Sequence, residues 1–169
     1  MPRYLVCHDY GMGGLWWWIT ADSEADVVER IAEVTVVGDP ETIAHFEADD
    51  LREVDLADAA SEVALGDLVA QRDAARGRPG YGRFAGMERV WFAMPQIYED
   101  EDWWFELNPS GQTIRAVREQ GEVRERVVPD GINPMSDLYD PMYDDREITE
   151  AEFEQVWDAA SKPADVPES

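Results

Sequence analysis

Five apolar residues in a row, Leu15-Trp16-Trp17-Trp18-Ile19, follow the glycine turn Gly11-Met12-Gly13-Gly14 and restrict the fold more than any other stretch. At a strand's period of two, Trp16 and Trp18 face one way, and Leu15, Trp17 and Ile19 the other. A strand that is apolar on both faces belongs in the middle of a sheet, with cover on both sides. The flanks supply that setting. Tyr4-Leu5-Val6-Cys7 reads as a first strand. The glycines permit the backbone angles of a tight connection. Asp22 or Ser23 can cap a following helix, and Glu24 and Asp26 suit its positive end. Val27, Val28 and Ile31 form its apolar stripe, and Val34–Val37 reads as a further strand closed by Gly38-Asp39-Pro40.

Two functions suggest themselves for this unit. Gly-Met-Gly-Gly matches neither the P-loop nor the dinucleotide fingerprint, and no helix start follows it, so phosphate binding lacks its physical basis. The tryptophans suit a core better than a stacking platform, since aromatics at strand spacing usually pack inward.

Charge is the strongest global signal. The chain of 169 residues carries 38 acids against 14 bases, a formal net charge of −24. Such a chain repels nucleic acid and anionic membrane surfaces and attracts basic proteins. No apolar run approaches the roughly 20 residues of a membrane span, and no basic-then-apolar leader opens the sequence. The single cysteine, Cys7, leaves no partner for an internal disulfide, so a cytoplasmic setting is expected.

The charge is unevenly spread. Residues 39–67 hold ten acids and one arginine, Arg52. Ile43-Ala44-His45-Phe46 suggests a short helix or turn, and Leu56, Ala60 and Val63, continued by Leu65, Leu68 and Val69, mark a weak helical face in which Gly66 argues against one unbroken helix. Arg72–Arg89 reverses the sign with five arginines. Within it, Arg76-Gly77-Arg78-Pro79 resembles the core of the AT-hook, a minor-groove DNA motif. The basic flanks of a hook are sparse and the net charge opposes a phosphodiester backbone, so a loop whose arginines pair with the chain's own acids fits better.

Val90-Trp91-Phe92-Ala93-Met94 reads as a buried strand stopped by Pro95. The acidic run Glu99-Asp100-Glu101-Asp102 lacks the alternating ligands of a calcium loop. Strands at 103–107, 112–118 and 122–128, separated by Asn108-Pro109-Ser110-Gly111 and Gly121, form a meander. Pro129–Glu147 is irregular and interleaves tyrosines with acids, a composition suited to protein contact. Thr149 and Glu152 make a capping box, Ile148 and Phe153 a hydrophobic staple, and Phe153, Val156, Trp157 and Ala160 an apolar stripe expected to pack on the hairpin. The expected class is α+β, antiparallel sheets with helices packed on one face. The expected organisation is an N-terminal unit over 1–94, a meander with helix over 95–160 packed against it, and a flexible tail at 161–169.

The C-terminal half resembles small acidic proteins of high-GC bacteria. These combine an aromatic strand, a glycine turn, an arginine-bearing strand, an acidic loop and a helix of the form I-T-x-x-E-F-x-x-V-W, here Trp103–Leu107, Asn108–Gly111, Thr113–Arg118, Asp137–Glu147 and Ile148–Trp157. Residues 4–31 and 72–86 are also similar to proteins of this kind. Some similar proteins look like immunity proteins of toxin systems. The resemblance implies no catalytic residues.

Catalytic parts are scarce. His8 and His45 stand at no metal-ligand spacing. Cys7 and His8 point to opposite strand faces, while Cys7 and Asp9 share one, which raises the thiol's pKa and works against a nucleophile. The chain therefore reads as a non-enzymatic binding protein with no cofactor, metal or catalytic residue. It is expected to take a basic protein partner, as an immunity-type inhibitor of a basic toxin would. Candidate contacts are Asp49, Asp50, Glu53 and Asp55, or Tyr139, Asp140, Tyr143, Asp144 and Asp145. Two alternatives stand beside it: a small-ligand or glycan-acting enzyme using tryptophans and carboxylates, and a salt-adapted structural domain.

Overall fold

The computed structural model describes residues 1–10, 12–98, 100–129 and 137–162. The fold is α+β, with two four-stranded sheets that are mostly antiparallel. Strands β1 (Arg3–Asp9), β2 (Gly14–Thr20), β3 (Thr35–Val37) and β4 (Glu53–Asp55) form the first, in the order β3-β1-β2-β4. Strands β5 (Val90–Tyr98), β6 (Glu101–Leu107), β7 (Thr113–Gln120) and β8 (Val123–Val127) form the second as a meander.

The tryptophan strand sits where its pattern demands. β2 is interior, and its faces separate as period two requires: Trp17 and Ile19 enter one core, Trp18 the other. The first core is closed by α1 (Glu24–Arg30) and α3 (Val63–Arg76), through Val27, Leu65, Leu68 and Val69. Helical cover extends to the second face, where α2 (Pro40–Glu47) brings Ile43 and Phe46 over Trp16 and Trp18. Trp16 stacks on Phe46 at 4.3 Å between ring centroids. The helix starts follow their caps. Ser23 Oγ accepts from the Asp26 N–H at 3.1 Å, and Asp39 accepts from Thr42 at 2.8 Å with Pro40 behind it in the first turn.

One strand left no sequence signal, and two local expectations are corrected. β4 was not evident in the acidic segment. It is three residues long, pairs in parallel with β2, and its Val54 alone turns inward between Glu53 and Asp55. The helical face is indeed not one unbroken helix, but Gly66 is not the cause: the break falls at Glu62, with a 3-10 helix over Leu56–Ser61 and α3 running through Gly66. Gly66 is glycine for proximity, because a Cβ there would stand 2.9 Å from the Ala60 carbonyl oxygen. Pro95 does not stop β5. The strand passes through it with a shift of register between Met94 and Tyr98, and Gln96 takes φ +55°. Proline is tolerated because β5 is an edge strand and the irregularity releases the ladder there.

The second sheet is covered on one face by Phe84 and Leu138 over Phe92, Phe105 and Leu107. On the other lies α4 (Glu150–Ala159), with Phe153 fully buried, worth about 1.5–3 kcal/mol relative to exposure. The capping box forms as expected: Glu152 N–H donates to Thr149 Oγ1 at 3.2 Å, and the Thr149 N–H to the Glu152 carboxylate at 2.7 Å. The flanks of α4 close both sheet edges. Ile148 N–H donates to Trp91 O and Ala93 N–H to Arg146 O along β5, while Ser161 exchanges backbone bonds with Arg124 and Arg126 along β8. Ser161 is thus docked, not part of a free tail; 163–169, Gly11, Glu99 and 130–136 lie outside the described residues. Among the described residues, no helix is long and apolar enough to cross a membrane.

Candidate functional site

A cleft lies where the two sheets' surroundings meet. It has a volume of about 760 Å³. β3 and the residues before it form one wall, with the start of α1. The segment 137–143 and the Pro109-Ser110 turn form the other. One cation lines it among the described residues: Arg72, on α3, 1% exposed. Arg72 donates to Asp137 Oδ1 at 2.9 Å and to the carbonyls of Val28 and Ile31 at 2.9 and 3.2 Å. Its guanidinium also lies 4.8 Å from the centre of the Tyr139 ring. Asp137 accepts in addition from the backbone N–H groups of Glu33 and Tyr139. One buried ion pair therefore ties α1, α3 and the 137–139 segment together. Burial is the main cause that raises the tyrosines Tyr81 and Tyr139 beside it above their ordinary pKa.

Arg72 was not singled out in the sequence, yet it left a signal. It falls on the apolar stripe of α3 with Leu65, Leu68, Val69 and Ala75, a position where a cation needs internal partners. Its carboxylate partner is 65 residues away and carries no such mark.

The cleft's remaining charges among the described residues are negative. Asp9, Glu24, Glu33 and Asp140 line it, and Arg72 is already matched by Asp137. Its apolar lining includes Val28, Val34, Leu138 and Met142. Thr35, 4% exposed, also lines it, and its hydroxyl has no hydrogen-bond partner among the described residues.

The expected contact residues fall into two different situations. Asp49, Asp50, Glu53 and Asp55 are all exposed, between α2 and the 3-10 helix. Glu53 lies 3.6 Å from Arg3, and Asp55 caps the 3-10 helix through the Ala57 N–H at 2.9 Å. Asp49 and Asp50 lead into β4 and point their charge at solvent. The second set is mostly engaged internally. Tyr139 packs under Arg72, and Tyr143 stacks on Phe92 at 5.4 Å. Asp140 caps the 3-10 turn Pro141–Tyr143 and faces Arg78 at 3.6 Å. Asp144 lies beside Arg83 and against Gly80, whose φ of +82° and lack of a Cβ make room for the carboxylate. Asp145 is the exposed member, although it neighbours Arg146.

The arginines account for this arrangement. All thirteen in the chain have internal partners. Twelve stand within 4 Å of a carboxylate. The thirteenth, Arg126, donates to the Trp157 carbonyl and lies over the indole at 4.3 Å. The basic stretch 72–89 is used in this way: Arg76 meets Glu29, Arg78 meets Asp140, Arg83 meets Glu147 and Arg89 meets Glu106. Arg115 bridges the buried Glu106 and Glu154 of α4. That pairing holds Arg115 further up its range and Glu154 below the usual carboxylate range.

The remaining reactive groups are accounted for by packing. The Cys7 thiol is pushed up to about 11, first by burial and then by Asp9 on the same strand face. His8 Nδ1 donates to the Glu33 carbonyl at 2.9 Å. Trp17 and Trp18 are buried, Trp103 stacks on Phe105 and donates to Glu101, and Trp104 lies under Arg124. Among the described residues, no group of three or more histidine, cysteine, aspartate or glutamate side chains is placed to hold a metal ion.

The chain was compared with protein-family models, characterised proteins and solved structures. None matches. The chemistry of the surface is therefore argued from its own residues.

Proposed function

We propose that this protein is a non-enzymatic binding module whose anionic surface receives a basic protein partner. The observation that carries the reading is the inward use of its cations. With every arginine held by a carboxylate or carbonyl of the same chain, an approaching molecule meets the surplus acids. The net charge of −24 supplies long-range attraction for a cationic protein and repulsion for a phosphodiester backbone. Asp49 and Asp50 are the preferred contacts of the first acidic set. Asp145 is the preferred contact of the second, because its neighbours Asp140 and Asp144 already serve the fold. An immunity-type inhibitor that covers the basic cleft of a toxin is the concrete form of such a protein.

The test is affinity capture of the tagged protein from lysate of its own host at low salt, with elution on a salt gradient. One stoichiometric basic protein released at moderate salt supports the reading, and co-production of the two then shows whether this chain suppresses the partner's toxicity. A blank, or a smear of abundant basic proteins, refutes it.

A further inference from the structure

The two sheets treat their edges differently. In the second sheet both edges are closed, β5 by residues 146–148 and β8 by Ser161. In the first sheet the outer strands are β4 and β3. β4 reads Glu-Val-Asp and places exposed carboxylates on either side of its one buried residue, a charged edge that discourages pairing. β3 reads Thr-Val-Val, carries no charge, pairs with β1 on one side, and gains no further strand from the described residues on the other. An uncharged edge of this kind is a template for an added strand.

That edge belongs to the cleft. Thr35 and Val36 line it, and the Thr35 hydroxyl is buried without a hydrogen-bond partner among the described residues. Asp9, Glu24 and Glu33 line the same cleft, the Glu33 carboxylate also accepting from Gln71 at 2.6 Å, while Arg72 is matched by Asp137. Successive side chains of a strand alternate between faces. A strand laid along β3 would therefore turn every second residue toward the α1 side, where the apolar Val28 and Val34 and the carboxylate-bearing Glu24 stand together.

We propose that the cleft is a docking groove in which an extended segment of a protein partner, carrying basic and apolar residues, adds to β3 as a strand. This inference rests on the reading of the protein as a binder of basic partners and names where and how one such segment is held.

Three labelled synthetic peptides test it against the full chain: one alternating arginine and valine, one alternating glutamate and valine, and one with the valines of the first replaced by proline. Fluorescence anisotropy reads affinity and hydrogen exchange reads the amides of 35–37. The arginine–valine peptide should bind about tenfold more tightly than the proline control, as two or so added backbone hydrogen bonds would give, and severalfold more tightly than the glutamate control, which the acidic lining repels. It should also slow exchange in β3, and Glu24→Lys should weaken it severalfold. Equal binding by the proline peptide overturns strand addition and leaves the anionic-surface reading standing. Equal binding by the glutamate peptide overturns both. Binding by none of the three overturns the groove, and the wider reading is then decided by the capture experiment alone.

Discussion

Replacing Arg72 with methionine tests the account of how the two halves of the molecule are joined. Methionine preserves much of the apolar stem and removes the guanidinium. The substitution deletes bonds to the carbonyls of Val28 and Ile31 and leaves Asp137, whose side chain is 9% exposed, without its counter-charge. Removing one member of a buried pair costs about 3–5 kcal/mol, mainly because the stranded charge remains buried. A domain of this size has about 5–15 kcal/mol in total. With a urea dependence of about 2 kcal/mol per molar, the unfolding midpoint should fall by about 1.5–2.5 M at unchanged slope. Asp137→Asn, added to Arg72→Met, removes the stranded charge. The double variant should then be destabilised by at least about 1 kcal/mol less than the two single costs predict when summed. The assay is equilibrium urea unfolding followed by tryptophan fluorescence and by circular dichroism. A loss below about 1 kcal/mol for Arg72→Met, or strict additivity in the cycle, would refute the reasoning.

Gly66→Ala should destabilise the fold by about 1 kcal/mol. The gain in helix propensity, of similar size, is outweighed by backbone displacement where the new Cβ meets the Ala60 carbonyl at 2.9 Å; a raised melting temperature would contradict this. Cys7, with its thiol pushed up to about 11, should be about one part in a thousand thiolate at pH 8 and react with a disulfide reagent only after denaturation. Rapid labelling of the native protein would contradict the burial. Asp39, Glu152 and Glu154 are all held below their ordinary pKa, by Thr42, Thr149 and Arg115 respectively. Their stabilising contribution is therefore full above the unfolded values, near 3.8 for Asp39 and 4.5 for the two glutamates, and is lost as pH falls through the lower folded values. Melting temperature should drop on the acid side of pH 4.5, and Glu154→Gln should make that drop shallower; an unchanged profile would remove Arg115 from the explanation.

Much of the fold was legible because its signals are local. The double-faced apolar run fixed β2 as interior, the Ser23 and Thr149 caps located two helix starts, and the glycine-containing turns separated the strands of the meander. The same logic anticipated that Cys7 and Asp9 share a face. What escaped reading depends on distant partners. β4 contributes a single inward side chain, Val54, and its pairing with β2 joins segments over thirty residues apart, which leaves almost no periodic trace. Pro95 breaks a central strand but not an edge strand, and edge position is a property of sheet order. Gly66 looks like a helix breaker until the Ala60 carbonyl is placed beside it. The cleft follows the same rule: Arg72 is visible as a cation on an apolar stripe, whereas Asp137, Thr35 and the edge of β3 acquire meaning only when 137–143 comes to lie across from β3. Of the expected contact residues, Asp49 and Asp50 keep their charge for solvent, while Tyr139, Asp140, Tyr143 and Asp144 turned out to be committed to arginines, caps and ring contacts.

The central claim is that surplus acids bind a basic protein. It is tested most directly by parallel capture from host lysate with the native chain and with charge-reversed chains, Asp49→Lys/Asp50→Lys and the same pair combined with Asp145→Lys. These positions are exposed and lie outside the arginine network that holds the fold, apart from the neighbouring contact of Asp145 with Arg146. The account predicts one basic protein retained by the native chain at low salt, released by a moderate gradient, and recovered severalfold less on the reversed chains. Undiminished recovery of that protein when both sites are reversed would contradict it.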